Sequence, residues 1–369
     1  MSREFYQRRG FRLFLAMLFL LAGNSCTKDD GPDVPVREDL TRPVCDHPFE
    51  PKEAPSKVVG FYPYWGEDNL PVSSVHWDEI TRIDYAFASV TPEGHLDASH
   101  LDITGLLVDV AHAHGVQVYL SVGGATGSGN FPPTAVDDVK RARLVRDIKN
   151  YVFANCLDGV DIDWEYWNGF STGTVIPEES EALVELLREL REVFEPFGIG
   201  ISVDLMATNW GGKHYFDGVA EEADDLQVMA YDFTGPWSAP GPHSSYEDAI
   251  GSGSDVSSTG LAYWINYRGW PAEKILLGVP FYGRDFSNGG RGITYRAILE
   301  YHPDAYDQDQ VGEIYYNGRI TMGRKASYVK HHEIGGIMIW ELSQDTYIDS
   351  LRLLRTIADT LLAGEEKSF

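Results

Sequence analysis

Four carboxylates lie within eight positions of an otherwise apolar stretch, LDGVDIDWEYW, at residues 157–167. A buried, unpartnered, ionised carboxylate is strongly penalised, so such a stretch either projects from a turn or lines a site that uses its acids. Side chains alternate along an extended strand, which places Asp161, Asp163 and Glu165 on one face at steps of roughly 6–7 Å. Asp158 is out of phase with them, and we expect it to have a structural role.

Carboxylates this close together cannot all ionise freely, so at least one of them should have a raised pKa. Such an acid can donate a proton to a leaving group near neutral pH. The alternative is a solvated edge or a cation site such as one for Ca²⁺. However, the flanking residues are bulky and apolar, whereas loops that bind hard cations prefer carbonyl oxygens and turns. The stretch therefore predicts general acid catalysis, and we expect neither a metal nor a cofactor.

The acids must be positioned by a fold, and from Lys57 onward eight short apolar runs alternate with amphipathic segments. The runs cover residues 58–65, 82–90, 117–124, 159–165, 198–205, 225–232, 274–283 and 335–342. Nearly continuous apolar runs are typical of parallel strands buried on both faces. Eight strands with crossovers predict an α/β protein with a (β/α)8 TIM barrel, whose active residues lie at the carboxyl ends of the strands. An open doubly wound sheet is the alternative, but no Gly-rich phosphate-binding turn follows the first strand.

Residues 1–26 have the layout of an export signal. An Arg-containing start is followed by the apolar run LFLAMLFLLA and then by small residues before Cys26. The apolar run is about half of the ~20 residues that a membrane span needs. Cys26 resembles the lipidation site of a bacterial lipoprotein, and plain secretion is the alternative. We expect a lipoprotein of the outer membrane or cell surface of a Gram-negative bacterium, or else a periplasmic or secreted protein.

The rest of the chain divides into a Pro- and acid-rich tether at residues 27–56, a catalytic barrel at residues 57–363 and a tail at residues 364–369. Cys45 and Cys156 could form a disulfide, but we expect them to stay unpaired. The formal net charge of −26 argues against nucleic acid or an anionic membrane surface as a partner, and it suits a neutral sugar polymer. We expect a monomer that contacts a membrane only through its lipid anchor.

The acid stretch also resembles a known family. DGVDIDWE matches the DxxDxDxE signature of glycoside hydrolase family 18, the chitinase family, whose members are TIM barrels with this motif on the fourth strand. The runs SVGG, MAYDFTGPW, GVPFYGR and GGIMIWELSQD resemble the motifs of the family at strands three, six, seven and eight. The likeness covers residues 57–363, so the family's chemistry becomes an expectation for the whole barrel.

The resemblance implies a retaining chitinase that hydrolyses β-1,4-linked N-acetylglucosamine polymers or oligomers through an oxazolinium intermediate, with the substrate's own acetamido group as nucleophile. Glu165 would be the general acid and later the general base. Asp163 would hold the acetamido N–H, Asp161 would share a proton with Asp163, and Tyr231 would bind the acetamido oxygen. The sugar-binding residues implied are Trp340, Asp232, Met229, Tyr282, Arg284, Phe61, Phe87, Gly124, Trp65 and Trp237.

The sequence departs from the family pattern in places. Phe61 stands where the family commonly has Tyr, and Ala125 follows the Gly pair where many chitinases have a platform Trp. Residues 285–324, after the seventh strand, look too short for the extra α+β wall of deep-cleft members. We therefore expect a short insertion and a shallow, open groove. Trp65 and Trp237 could be sugar platforms or could serve loop packing.

Two other functions stay open. One is an endo-β-N-acetylglucosaminidase that cuts the core of N-linked glycans, since the family contains both activities. The other is an inactive, chitinase-like sugar-binding protein. Relatives of the second kind typically lose the acid at the position of Glu165, which is present here.

Overall fold

The computed structural model describes residues 49–363, and its centre is a closed parallel β-barrel. The strands are β1 Lys57–Pro63, β2 Arg82–Val90, β3 Gln117–Gly123, β4 Gly159–Asp163, β5 Gly200–Met206, β6 Asp225–Met229, β7 Ile275–Pro280 and β8 Gly336–Trp340. Each strand pairs in parallel with the next, and β8 pairs with β1 and closes the barrel. The predicted TIM barrel is confirmed, and every predicted run overlaps one strand of the barrel.

Helices surround the barrel. The α-helices are Thr104–Ala113, Gly124–Gly127, Phe131–Ala135, Asp138–Ala154, Pro177–Phe194, Asn209–Gly212, Gly218–Glu222, Tyr246–Ile250, Gly260–Ala262, Tyr295–Tyr301, Arg319–His331 and Leu353–Leu361. In the helix Pro177–Phe194, the proline lies in the first turn, where a backbone N–H would have no partner. Two glutamates in the same turn interact favourably with the positive end of the helix dipole. Its four leucines, three or four residues apart, are buried. This spacing turns one face of the helix toward the barrel.

The segment after β7 forms a second, antiparallel sheet. Its strands are Tyr282–Asp285, Arg291–Thr294, Gln310–Val311 and Ile314–Tyr315, and the helix Tyr295–Tyr301 follows the second strand. The insertion is short, as predicted, but it is a small α+β unit, which we did not expect. The assignment of the whole GVPFYGR motif to the seventh barrel strand is also wrong, because β7 ends at Pro280. Residues 282–285 pair instead with the antiparallel strands of the insertion, where a Cβ at Gly283 would lie 2.7 Å from the carbonyl oxygen of Tyr315, so only glycine allows this close pairing.

The lower part of the barrel interior contains an ion network. Arg82 donates to Asp84 at 2.8 and 3.1 Å and to Asp225 at 2.6 Å, and all three side chains are buried. Lys57, at the lower rim, also pairs with Asp225. A buried charge is tolerated only when it is paired and hydrogen-bonded, so one guanidinium makes two buried carboxylates compatible with the core.

Cys156 is disulfide-bonded, so the expectation that it stays unpaired is wrong. Two cysteines far apart in the sequence carry no spacing signal, which is why the sequence did not reveal the bond. Cys156 is the one cysteine within residues 49–363. The export signal, the lipidation of Cys26, most of the tether and the tail lie outside the described residues and stay predictions. Within the described part of the chain, no helix combines the length and the apolarity that crossing a bilayer requires.

Replacement of Arg82 by methionine should destabilise the fold severely. The change leaves Asp84 and Asp225 buried without their shared cation, which typically costs about 3–5 kcal/mol. The free energy of unfolding, measured by urea denaturation near neutral pH, should fall by that amount. Arg188→Met, which removes an exposed arginine that pairs with Glu185, is the matched control and should change stability little. Equal stability losses in the two variants would contradict a supporting role for the buried network.

Candidate active site

The predicted acid ladder is present at the carboxyl end of β4. Val160, Ile162 and Trp164 are fully buried on the outer face of the strand, where the helices pack. Asp161 and Asp163 point into the barrel and are buried, whereas Glu165, two residues beyond the end of β4, is partly exposed at the mouth. The alternation predicted from sequence therefore brings the three acids together on one side, with only the last one open to solvent.

Asp161 is the deepest of the three and is well supplied with hydrogen-bond donors. Its two carboxylate oxygens accept from the hydroxyl of Ser121 at 2.6 Å, the hydroxyl of Ser202 at 2.7 Å and the side-chain amide of Gln227 at 3.0 Å. Each donor comes from a different strand of the barrel. Donors of this kind stabilise the ionised form of a carboxylate, so Asp161 is built to carry negative charge.

Asp163 lies in the opposite situation. Its Oδ1 is buried and has no hydrogen-bond donor among the described residues. Burial and then the nearby charges of Glu165 and Asp161 raise the pKa of the Asp163 carboxyl well above its usual range. Asp163 is therefore favoured as a neutral acid next to an ionised Asp161, and its free oxygen faces no competing protein partner.

Glu165 has an acidity that suits proton transfer near neutral pH. Burial raises the pKa of Glu165 to about 7, the hydroxyl of Tyr166 opposes the shift, and the charge of Asp232 adds to it. The backbone is fixed at this point by Ser128, whose hydroxyl lies 2.8 Å from the carbonyl oxygen of Asp163 and 3.0 Å from the amide nitrogen of Glu165. The loop after β3 thus holds the acid beyond the end of its own strand.

A column of stacked aromatic rings packs along the chain segment that carries Glu165. Phe131, Trp164, Trp167 and His214 stack in this order, with ring centroids 5.1, 4.5 and 5.5 Å apart. Two of the rings flank Glu165 in the sequence, so their packing restricts how far the acid can move. Sequence analysis did not detect this column, because Phe131 and His214 come from other loops.

The MAYDFTGPW motif ends β6 and brings Tyr231 and Asp232 to the mouth. The hydroxyl of Tyr231 makes only a weak contact, 4.0 Å to the sulfur of Met338, among the described residues. Asp232 accepts from the hydroxyl of Tyr282 at 2.7 Å and from Arg284, which approaches both of its oxygens. Burial alone would raise the pKa of Asp232, but His243 and Arg284 hold it below its usual value.

An aromatic floor lies across the mouth from the acids. The ring of Trp340 stacks on Phe87 at 5.5 Å and meets the edge of Phe61 at 5.2 Å. Trp65 is 50% exposed and lies 6.3 Å from Trp340. Gly124 makes room for this group, because a Cβ there would lie 2.6 Å from the ring of Phe87 and its φ of +75° disfavours other residues.

The remaining predicted residues lie around this floor. Met229 ends β6 and packs with Phe61 in a small apolar cluster inside the barrel. Trp237 is 65% exposed, and the guanidinium of Arg284 lies 5.3 Å from the centre of its ring. All the barrel residues predicted for the site thus lie at or just below one end of the barrel, whereas Cys26 lies outside the described residues.

Sequence reasoning missed several polar residues of the site. Ser121 is the first residue of the recognised SVGG run, but its bond to Asp161 was not foreseen. Ser202 and Asp204 on β5 and Gln227 on β6 alternate with apolar residues and point into the barrel, so the period-two pattern carried a signal. Asp204 is 1% exposed, and neither of its oxygens has a donor among the described residues.

Two other features of the mouth were not read from the sequence. Trp210 is an exposed tryptophan in the short helix Asn209–Gly212, which follows β5. Cis peptide bonds join Ala86 to Phe87, Glu165 to Tyr166 and Trp340 to Glu341. Within residues 49–363, no group of three or more His, Cys, Asp or Glu side chains is arranged to hold a metal ion.

Comparison with known proteins gives a consistent result. The sequence matches the family described as Glycosyl hydrolases family 18 over residues 57–345. A chitinase-like effector of Moniliophthora roreri is 34% identical over 240 residues, which cover 62% of this chain and 58% of the relative. The chain thus spans little more than half the length of that relative.

Two solved structures are similar over most of this chain. A chitinase from Bacteroides thetaiotaomicron superposes with a TM-score of 0.74 at 26% identity, covering 83% of this chain and 96% of the other. The GH18 chitinase ChiB from the chitin utilization locus of Flavobacterium johnsoniae gives a TM-score of 0.70 at 28% identity, with 84% and 94% covered. The overall fold of the described chain is therefore shared with solved proteins.

The raised pKa of Glu165 should make its replacement by glutamine stabilising at high pH. The folded state binds this proton more tightly than the unfolded state, so wild type loses stability as pH rises from about 4.5 to about 7. Glutamine cannot ionise. Above about pH 7, the free energy of unfolding of Glu165→Gln should therefore exceed that of wild type by about 2–3 kcal/mol. Below about pH 4.5, the two proteins should be equally stable.

Urea denaturation at both ends of this pH window is the measurement. Glu178→Gln, at an exposed position in the first turn of the helix Pro177–Phe194, is the control and should show no such pH-dependent gain. If Glu165→Gln raises the free energy of unfolding by the same amount at both pH values, burial does not raise the pKa of Glu165.

Proposed function

The chain belongs to family 18 of the glycosyl hydrolases, and we propose that it is a chitinase, a retaining enzyme that cleaves β-1,4-linked N-acetylglucosamine polymers or oligomers. The observation that carries this proposal is the acid ladder. One partly exposed acid, Glu165 with a pKa of about 7, lies above two buried aspartates. Asp161 accepts from several donors, whereas the Oδ1 of Asp163 has none among residues 49–363. Such a set supplies one proton donor and one buried group for a positive intermediate.

Glu165 gives its proton to the glycosidic oxygen as the bond to the leaving sugar breaks. A pKa near the working pH keeps a useful fraction of the acid protonated and still lets it act later as the base for water. The bond that forms joins the acetamido oxygen of the substrate to its anomeric carbon, which gives an oxazolinium ion. After the leaving sugar departs, water attacks the anomeric carbon, and Glu165 takes back a proton.

Asp163 and Tyr231 hold the acetamido group for this attack. No donor in the described part of the chain reaches the Oδ1 of Asp163, so this oxygen is free to accept the acetamido N–H. Within residues 49–363, the only hydrogen-bond partner of the Tyr231 hydroxyl is the sulfur of Met338 at 4.0 Å, so this hydroxyl is free to donate to the acetamido oxygen. A nucleophile fixed between two such contacts reacts within one molecule, which removes several kcal/mol from a barrier.

The aromatic floor and the Asp232 cluster bind the sugar chain. The exposed part of Trp340 offers an apolar surface to the C–H bonds of a pyranose ring, and Phe87 and Phe61 fix the tryptophan from below. Asp232 is held ionised by Arg284 and accepts hydrogen bonds from sugar hydroxyls. Trp65 and Trp237 are exposed on different sides of the mouth and extend the binding surface to neighbouring sugars.

A non-catalytic carbohydrate-binding role is the second candidate. It is favoured by the similarity to a protein named as a chitinase-like effector. The presence of Glu165, with an acidity suited to proton transfer, favours catalysis instead. The two candidates differ in whether sugar that binds is also cleaved.

Glu165→Gln should separate binding from cleavage. Glutamine keeps the shape of the side chain but has no proton to give, so turnover of chito-oligosaccharides should fall by about 10²- to 10⁴-fold. The dissociation constant for the same oligosaccharide, measured by calorimetry, should change far less. Glu178→Gln is again the control and should cleave like wild type. If wild type binds oligosaccharides tightly and releases no product, the binding role is correct.

Cleavage should require the N-acetyl groups of the substrate. We expect fully acetylated chito-oligosaccharides to be cleaved and fully deacetylated ones to remain intact, because only the former carry the nucleophile. Proton NMR of the first product should show the β-anomer, since two displacements retain configuration. Equal cleavage of both substrates, or an α-anomer, would rule out this mechanism. Release of glycans from a high-mannose glycoprotein, without chitin cleavage, would indicate the N-glycan activity instead.

A further inference from the structure

Asp204 is a buried acid on β5 that the proposed mechanism does not use. It points into the barrel, is 1% exposed and has no hydrogen-bond donor on either carboxylate oxygen within residues 49–363. An ionised carboxylate in this position would have lost its water without any replacement, which costs several kcal/mol. The side chain therefore requires an explanation other than packing.

The neighbour of Asp204 is Asp161. Asp161 on β4 pairs with Ser202 on β5, two residues before Asp204 on the same inward face, which places the two carboxyl groups next to each other on neighbouring strands. Two carboxylates attract at this range only when a proton lies between them, and the proton belongs to the partner that is poorer in donors. Asp161 already accepts from Ser121, Ser202 and Gln227, whereas Asp204 accepts from none of the described residues.

We propose that Asp204 is a positioning residue of the active site, which carries a proton and donates it in a hydrogen bond to Asp161. The row formed by Asp204, Asp161 and Asp163 then holds two protons and a single negative charge. The inference rests on the proposed function for its consequence in catalysis, although the protonation of Asp204 does not depend on that function.

The electrostatic surroundings agree with this geometry. Burial, followed by the charges of Asp161 and Asp163 and, more weakly, of Asp84, raises the pKa of Asp204 well above its usual range. The hydroxyl of Tyr231 also faces this acid, and burial raises its pKa, so it is neutral and adds no charge. Arg82, a buried cation of the barrel interior, is already engaged by Asp84 and Asp225.

A single charge in the row has a consequence for the reaction. While the substrate is intact, the charge lies on Asp161 and Asp163 is neutral. When the oxazolinium ion forms, the O–H bond of Asp163 breaks and an O–H bond of Asp161 forms, so the negative charge moves next to the positive intermediate. Asp204 keeps its own proton throughout. An ionised Asp204 would place a second charge beside Asp161 and hold the moving proton there.

Two substitutions separate this role from simple packing. Asp204→Asn keeps a neutral side chain of the same shape with N–H donors, and kcat on acetylated chito-oligosaccharides should stay within about threefold of wild type. Asp204→Leu keeps the branched shape of the side chain, at a larger volume, but removes the donor to a charged group, and kcat should fall by about 10- to 100-fold. KM should change little in both variants, because Asp204 does not touch the sugar. Equal losses in the two variants, or no loss in either, would overturn the proposal.

A second measurement reads the proton directly and does not require activity. The infrared difference spectrum of wild type minus Asp204→Asn, recorded near neutral pH, should contain the carbonyl stretch of a neutral carboxylic acid. Asp255→Asn removes an exposed carboxylate that accepts from Ser257, and its difference spectrum should contain carboxylate bands only.

The two readouts separate the inference from the proposed function. Carboxylate bands for Asp204 would overturn the inference even if the enzyme cleaves chitin. A neutral-acid band in a protein that cleaves no substrate would support the protonation of Asp204 and reject the proposed function.

Discussion

The barrel interior encloses more carboxylates than the cations near it can neutralise. Five buried carboxylates of the described chain face inward, namely Asp84, Asp161, Asp163, Asp204 and Asp225. Arg82 is the buried cation among them, and Lys57 approaches from the rim with half of its side chain exposed. Each acid must therefore be paired, supplied with neutral donors, or protonated. Arg82 pairs two of them and donors hold Asp161, which leaves Asp163 and Asp204 to be neutral.

The apolar side chains of the barrel interior form a separate cluster, which consists of Val59, Phe61, Ala86, Met229, Leu276 and Met338. The aromatic floor lies on top of this cluster, and Tyr231 stands at the boundary with the acids. A bound sugar would thus meet an apolar surface on one side and acids on the other. Charges next to a dry, apolar wall interact more strongly than they would in water, which increases the effect of a small shift of protons.

The barrel was predictable because its signals are local. Apolar runs mark the strands, and alternation alone placed Asp161, Asp163 and Glu165 on one face. The insertion was not predictable in the same way. Its strands Gln310–Val311 and Ile314–Tyr315 are two residues long, and only pairing with Tyr282–Asp285 makes them strands at all. The contacts that hold the Glu165 segment in place were also not predictable, because Ser128 and the stacked rings come from distant parts of the sequence.

The polar residues that surround Asp161 were only partly predictable from the sequence. Parallel register places Ser121 beside Asp161 and Asp161 beside Ser202, and it places Asp204 beside Gln227. Once the strands are known, their polar residues can be assigned to layers, and the donors and acceptors of a layer can be compared. Here the acceptors outnumber the donors, and a proton on Asp204 is the simplest way to supply the missing one. A single aspartate in an apolar strand has no evident role on its own, but the barrel layer in which it lies shows what it must carry.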